Sequence, residues 1–576
     1  MKKSFLAVSA CVALLLPTLA GCQNSEPSKA DSKSSESSDS QSAESSNVNP
    51  AGVFPIVKEP IELTILALQD GERDRGENLF TKEVEAKTNI KINWMIAPTG
   101  TFQEKMNLMF ASDDVADIIA AGPSATDRLS KITELSLAKQ KMIIPLTDYY
   151  DNLSVAYKEA FEKLDGLRDY STTPDGEIYS FPNVDGYLHI QYNNKLWINK
   201  VWLDTLNLDI PTTIDEFYQV MKAFKEQDAN GNGDLNDEIP LSTCKSGSGV
   251  EIDGFLMNSF ITTPQTEKMW LDDGKVIFSP TQDKYKEGLS FLNKLYDEGL
   301  MNPESFTQDK NTQVNVNENG EYPVIGAFLA QRPGYACDLV SEPNSKKWEQ
   351  YISLPPLKGP DGTVAAAWNP YAMYQTGVGV ITSACENPEA AFRLIDFVAS
   401  SEMSVRNIIG IENVHWQAAA QGEYNLDGQQ AAITTIPGTS AINDNAVWGQ
   451  LIGCLNFPEM ILQQTYPQDP YADDVAPLNG RQVVMYKGSL DHQAVEQSFE
   501  SVLPELYYDE VVAEEMALKK TSILEYVNQS VVRFVTGDMS IDKDWDSYIK
   551  DLQGMGLDQY LAEVQAAYDA SAFSKK

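Results

Sequence analysis

The residues best equipped for chemistry lie between Asp228 and Pro240. Counted from Asp228, oxygen-bearing side chains fall at the first, third, fifth and ninth positions (Asp228, Asn230, Asn232, Asn236), with Gly233 at the sixth. That is the spacing by which an EF-hand-like loop wraps a calcium ion, the seventh residue, Asp234, supplying a backbone carbonyl. The twelfth position, where a bidentate Glu is expected, is Ile239, so Asp237 and Glu238 must close the shell from positions ten and eleven. Without a cation the carboxylates of this segment would repel one another and open it. The expectation is a structural ion, Ca2+, acting as a clip and not as a catalytic centre; a plain Asn/Gly-rich turn is the alternative. Magnesium suits the loop less well because it keeps several of its waters.

Motifs for catalysis are sparse. Only three histidines exist, His189, His415 and His492, none in HExxH spacing. No Gly-rich loop precedes a Lys-Ser/Thr pair, and no GxSxG elbow is present. Paired carboxylates for glycoside hydrolysis stay open, since 83 acidic residues bring some pair close. Aromatic rings offer a different chemistry: sugar CH faces stack on Trp and Tyr, while hydroxyls bond to Asp, Asn, Gln and Arg. Candidates beside expected loops are Trp270, Arg332 with Tyr335, Trp368 with Tyr371, Trp416 and Trp448, together with Asp70 and Arg73 on the first strand-end loop. Ordinary packing competes with ligand contact at each of them. Trp94, Trp197, Trp202 and Trp545 sit at periodic positions expected for core.

The chain opens Met1-Lys2-Lys3, runs apolar from Phe5 to Leu16, and reaches Leu19-Ala-Gly-Cys22. A charged start and a short apolar run read as a secretory leader (residues 1–21), and its end resembles a bacterial lipobox in which the Cys22 thiol receives diacylglycerol. An ordinary leader with an incidental cysteine is the alternative. The following residues are dominated by Ser, Glu, Asp and Gln. They cannot bury enough apolar area to offset chain entropy, so residues 22–57 are expected to form a disordered tether. Cys244, Cys337, Cys385 and Cys454 show no CxxC pairing; disulfides and buried free thiols are both open.

In total, 44 basic and 83 acidic side chains give a formal charge of −39 across 576 residues. Such a surface repels nucleic acid and anionic lipid, so membrane association is expected through the lipid alone. A neutral ligand or a hard cation suits the composition better.

The elements that must position these residues alternate. Residues 61–68, 90–96 and 115–121 read as strands separated by helices at 79–87 and 102–111, a β-α-β-α-β run that favours a parallel sheet with helices on its faces. In such sheets ligands collect at the carboxyl ends of strands. Thr213 and Glu216 have capping-box spacing before a helix to about Glu226, residues 377–381 read as a strand with a helix after Asn387, and the C-terminus ends in two helices.

Together these residues carry a resemblance. The lipobox, the run from Tyr179 through Pro182 to Tyr192 and Lys195, the loop Asp228 to Pro240, and the ending from Phe534 through Trp545 and Met555 to Tyr568 resemble lipid-anchored extracellular solute-binding proteins of ABC importers, family 1. The branch is the oligosaccharide-binding one that includes alginate-binding proteins. The resemblance implies an α/β, two-lobed periplasmic-binding-protein-like fold (type II), each lobe a sheet flanked by helices, with a cleft at the hinge. Carried onto this chain, lobe one is 58–185 and 350–400, and lobe two is 186–349 and 401–576. Implied too are a carbohydrate ligand, a transmembrane permease as partner, a monomer on the outer membrane face, and no enzyme activity. A surface polysaccharide lyase or glycoside hydrolase and a calcium-dependent adhesin are the rival readings.

Overall fold

The strand Ile61–Leu68 shows how the fold is organised, because its alternating side chains enter two different cores. Leu63, Ile65 and Ala67 pack with Phe80, Val84 and Ile92 on one face, while Leu66 packs with Phe102, Met106 and Ile119 on the other. Burial on both faces requires helices on both sides. The computed structural model describes residues 46–575 except 70, 72, 99, 113, 125, 265–266, 342–344, 474 and 509. Cys22 and the leader therefore lie outside the described residues, as does Asp70.

Two sheets dominate residues 47–576. In the first, Ile61–Leu68 pairs in parallel with Ile90–Ala97 and Ile118–Ala120; Tyr374–Ile381 runs antiparallel beside Ile118–Ala120 and Ser180–Asp185; and Leu455–Asn456 joins Ser180–Asp185 in parallel. In the second, Ile239–Ser242 and Ile325–Leu329 are parallel, Leu196–Asn199 is antiparallel to Ile325–Leu329, and Tyr351–Ser353 is antiparallel to Leu196–Asn199. Each sheet has its own core. The second is covered by Ile214–Glu226, Asp283–Asp297 and the C-terminal helices Glu510–Thr536, Ile541–Gly554 and Leu557–Ala570.

The expected lobe boundaries shift. Tyr351–Ser353 belongs to the second sheet, so the return to lobe one falls after residue 353 and not at 350. Met403, Trp448, Leu451, Leu455 and Met460 pack in the first core, so lobe one extends well beyond residue 400. The tether is also shorter than expected: Ile56 and Val57 are buried in the first core, Val48 pairs with Val57, and Arg393 donates to the Asn49 and Val53 carbonyls. No helix among the described residues is long and apolar enough to cross a membrane.

Directions within the sheets fix the crossings. Ser180–Asp185 ends, and Tyr374–Ile381 begins, at the edge where Ile61–Leu68 and Ile118–Ala120 end. In the second sheet Leu196–Asn199 begins at the edge where Ile239–Ser242, Ile325–Leu329 and Tyr351–Ser353 end. Residues 186–195 and 354–373 therefore connect the strand-end edges of both sheets, the edges where ligands bind in open α/β folds.

Gly377 anchors this edge. It sits where the pairing of Tyr374–Ile381 with Ser180–Asp185 shifts register, at φ 70°, and an added Cβ would stand 2.1 Å from the Leu129 carbonyl oxygen. Its own carbonyl accepts the Leu129 amide at 2.9 Å. Gly377→Ala is expected to cost roughly 1–3 kcal/mol, read as a lower urea midpoint; an unchanged midpoint would mean that the 122–129 loop yields freely.

Candidate functional site

The first crossing starts in a tight place. A Cβ at Gly186 would lie 2.4 Å from the Pro458 nitrogen, so only glycine lets the chain pass. Just before it, Asp185 takes a 3.4 Å hydrogen bond from Gln450 Nε2 on Oδ2, while Oδ1 is buried with no partner. Burial raises this carboxyl above its ordinary range. Just after it, the Tyr187 and Tyr466 hydroxyls lie 3.5 Å apart in a pocket of about 300 Å³ that Trp416, Arg481 and Gln482 also line. Arg481 Nε and Gln482 Oε1 are buried there without partners. An unsatisfied buried polar atom costs about 1–3 kcal/mol, so the two in this lining, Arg481 Nε and Gln482 Oε1, mark a place ready to receive polar groups.

Positive charge collects further along. Lys195 is fully buried, its ammonium donating to the Tyr192 carbonyl, and burial lowers its pKa to about 7. Burial first, then the charges of Lys195, Arg481 and Arg332, push His189 down to about 3. His492, its Nδ1 donating to the Gly488 carbonyl at 2.8 Å, is likewise held at about 3, by burial and Lys195. Both imidazoles are neutral at physiological pH.

A second cavity, of about 360 Å³, is lined by both crossings. Trp368 Nε1 donates to Gln191 Oε1 and the Asn369 amide to the Gln191 carbonyl, each at 3.0 Å, tying the two segments together. Tyr371, Asn194, Arg128 and Glu505 also line it, and among the described residues neither side-chain polar atom of Asn194 has a partner.

The expected site residues are thus sorted. Trp368 and Tyr371 share the second cavity, although Tyr371 is only 3% exposed and stacks on Tyr170 at 5.3 Å. Trp416 lines the first pocket, its Nε1 donating to the Gly410 carbonyl at 3.0 Å. Arg332 follows the strand Ile325–Leu329 and lies half-buried near Arg481. Arg73 is half-buried on the first strand-end loop, with Nη1 against Gly449. Three expectations do not hold in this conformation. Trp448 is 1% exposed, packs edge-on against Phe80 and Trp94, and donates to Thr81 Oγ1 at 2.8 Å, which makes it core. Tyr335 packs its ring against Gly247, and its hydroxyl accepts the Ser248 amide at 2.9 Å, bracing that loop. Trp270 is displaced by the strand pleat, since its neighbour Met269 lines the second cavity. Asp185, Tyr187, Tyr466, Gln450 and Arg481 escaped the sequence reading; the one available signal was Asp185-Gly186 directly after Ser180-Phe-Pro-Asn-Val184.

The cation loop folds around itself. Asn230 Oδ1 accepts the Asn232 amide at 3.0 Å, Asn232 Oδ1 the Asp234 amide at 2.7 Å, and Asp228 Oδ2 the Gly233 amide at 3.0 Å. Both Asp237 oxygens are taken by the amide groups of Asn230 and Asn232, and Asn236 Nδ2 donates to Asp234 Oδ1. Asp228 Oδ1 and Glu238 Oε2, one from each end, are buried without partners. No trio of carboxylate, His or Cys side chains converges among the described residues, so an ion here would draw on amide and backbone oxygens as well. The two open carboxylate oxygens fit a hard cation.

A family model of bacterial extracellular solute-binding proteins matches residues 74–404. The fructooligosaccharide ABC transporter substrate-binding protein FusA of Streptococcus pneumoniae is 29% identical over 507 residues, 86% of this chain and 88% of that protein. Its structure with kestose superposes at a TM-score of 0.64 with 26% identity, covering 88% of this chain and 99% of that one; an EF-hand mutant of it with fructo-nystose gives 0.63. The lipoprotein LipO of Bacillus subtilis is 27% identical over 370 residues, 63% of each chain. An extracellular solute-binding protein of Bifidobacterium longum subsp. infantis shares the fold at a TM-score of 0.70, with 23% identity over 89% of this chain and 98% of that one.

The histidine environments set a pH dependence. A histidine held neutral when folded but free to protonate near pH 6.5 when unfolded contributes stability above that pH, lost progressively as pH falls towards 3. The His189 and His492 ring resonances are expected not to titrate between pH 5 and 8, with the melting temperature dropping between pH 6 and 4. A His189 titration centred near 6.5 would contradict the environment described for this half-buried ring.

Proposed function

Because the chain belongs to the bacterial extracellular solute-binding proteins, we propose that it captures an oligosaccharide between its two lobes and delivers it to the permease of an ABC importer. The observation that carries this reading is the first crossing. Unpaired Arg481 Nε and Gln482 Oε1 line a pocket there with Tyr187, Trp416 and Tyr466, and buried Asp185, its Oδ1 unpaired, lies two residues before Tyr187 on the same crossing. Aromatic faces with a few convergent polar groups are what a sugar requires. The pneumococcal relative named for fructooligosaccharides supports the ligand class. The chemistry asked of the site is binding alone: hydroxyls donate to Asp185, ring faces stack, and no bond breaks.

Separate cores allow the lobes to move as bodies about the crossings. Open and closed forms interconvert, and a ligand touching both lobes shifts the population towards closure. Diacylglycerol on Cys22 would hold the protein at the outer membrane face, raising its effective concentration beside the permease; a lipoprotein among the relatives supports this. Calcium at Asp228 and Glu238, with oxygens of Asn230, Asn232, Asn236 and Asp237 and the Asp234 carbonyl around it, would neutralise the loop and keep it closed.

Two outcomes are expected. In calorimetric titration with an oligosaccharide panel, at least one member should bind, and Asp185→Ala should weaken it about 10- to 100-fold while far-UV dichroism is unchanged; failure of the whole panel to bind counts against sugar capture. Separately, calcium should raise the melting temperature and a chelator lower it, with magnesium having little effect. Asp228→Asn combined with Glu238→Gln should abolish that difference, and a calcium response that survives both changes would place the ion elsewhere.

A further inference from the structure

Between the helices Pro477–Gln493 and Glu510–Thr536 the chain makes a detour. Both helices pack on the second lobe: Val484 and Met485 lie with Phe328 and Tyr351, and Ile523 and Val527 with Leu289 and Leu292. The segment that joins them does not stay there. Phe499 sits against Tyr371 and Trp368 of the second crossing, with ring centroids 5.5 and 6.0 Å apart. Val502 is buried in the first core, whereas Leu506 is buried in the second. Residues 499–508 thus form a strap, anchored at both ends on one lobe and seated in its middle on the other.

The strap is held by an exchange of hydrogen bonds. The Tyr170 hydroxyl of the first lobe donates to Glu505 of the strap at 3.1 Å, and the Tyr507 hydroxyl of the strap donates to Glu134 of the first lobe at 3.2 Å. Between the two rings lies the Lys131 ammonium, 4.1 Å from the Tyr170 centroid and 4.0 Å from that of Tyr507, donating to the Tyr170 carbonyl at 2.9 Å. Lys131 and Glu134 are buried, and a cation between ring faces is worth more away from water than on a surface. Yet the strap is loosely flanked. Leu503, Pro504 and Glu505 line the cavity of about 360 Å³, and Glu505, Leu506, Tyr507 and Tyr508 line a separate one of about 600 Å³.

Phe499 touches a crossing, so a rotation of the lobes about residues 186–195 and 354–373 moves it little. Tyr507 lies eight residues further along, against the first-lobe helix Lys131–Lys139, and such a rotation shears it past that helix. The two cavities give the strap room to shift. Resting on the reading of two lobes that close on a saccharide, we propose that the clasp of Lys131 with Tyr170 and Tyr507 is a brake on closure: it holds the lobes in the present arrangement and is given up when they close. Lys131 and Tyr507 line neither candidate ligand pocket, so they set affinity through the conformational equilibrium and not by touching the ligand.

The test is pulsed dipolar spectroscopy on the ligand-free, leaderless chain, with spin labels at exposed Ser112 of the first lobe and exposed Asn319 of the second. Lys131→Met and, independently, Tyr507→Leu should raise the weight of a shorter-distance population about 3- to 10-fold over the wild type. A contact that only supports the fold would lower the melting temperature and leave the distances unmoved; that result overturns the proposal, as does a shift to longer distances. Calorimetry with kestose, maltotetraose, cellotetraose and xylotetraose supplies a second arm. A member that binds the wild type should bind both variants about 3- to 10-fold tighter, and equal or weaker binding contradicts the brake. Shifted distances with none of the four binding uphold the clasp and count against the saccharide reading alone. Saccharide binding with unmoved variant distances removes the clasp and leaves the cleft reading standing.

Discussion

A chain that passes between two sheets must carry polar groups through a region where neither core can satisfy them all, and that constraint organises this molecule. Residues 186–195 leave the first sheet at Asp185 and enter the second at Leu196. Asp185, Asn194 and Lys195 lie along this path, buried either with unmet hydrogen-bonding capacity or without a counter-ion. Gly186 exists because Pro458 leaves no room for a side chain, and Gln191 holds the second crossing against the first. What elsewhere would be a packing fault becomes, on the proposed reading, a surface ready for a hydrated, hydroxyl-rich ligand.

The same arrangement separates stability from function. Each sheet is buried on both faces by its own apolar clusters, so the proposed motion about the crossings would leave both cores intact. The C-terminal segment ties back to the first lobe through Lys131, whose ammonium lies 4.1 Å from the Tyr170 ring centroid and 4.0 Å from that of Tyr507. Tyr507 donates to Glu134 at 3.2 Å. Burial holds Lys131 down to about 8 and Glu134 up to about 7.

Much of the fold was legible because its signals are periodic. Alternation marked Ile61–Leu68 and Ile90–Ala97, and helical spacing with Thr213 and Glu216 marked Ile214–Glu226, where the reciprocal capping box is present. Strands too short for any period escaped: Tyr351–Ser353 and Leu455–Asn456 span three and two residues, yet they decide which lobe their flanks join. Tryptophan is ambiguous for a physical reason, since a large ring with one N–H serves a core or a sugar equally well. Trp448 and Trp416 look alike in sequence, and only burial against Phe80 and Trp94 separates them. Arg481 was illegible because a helix nearly 300 residues further along brings it to the pocket of Tyr187, which no local sequence records.

The central claim is that two independently packed lobes close on a saccharide at the crossings. It is tested most directly by pulsed dipolar spectroscopy between spin labels at exposed Ser112 in the first lobe and exposed Asn319 in the second. Saturation with a saccharide that calorimetry shows to bind should shift the distance distribution to a shorter, narrower population. An unchanged distribution at saturation would contradict lobe closure as the mechanism of capture.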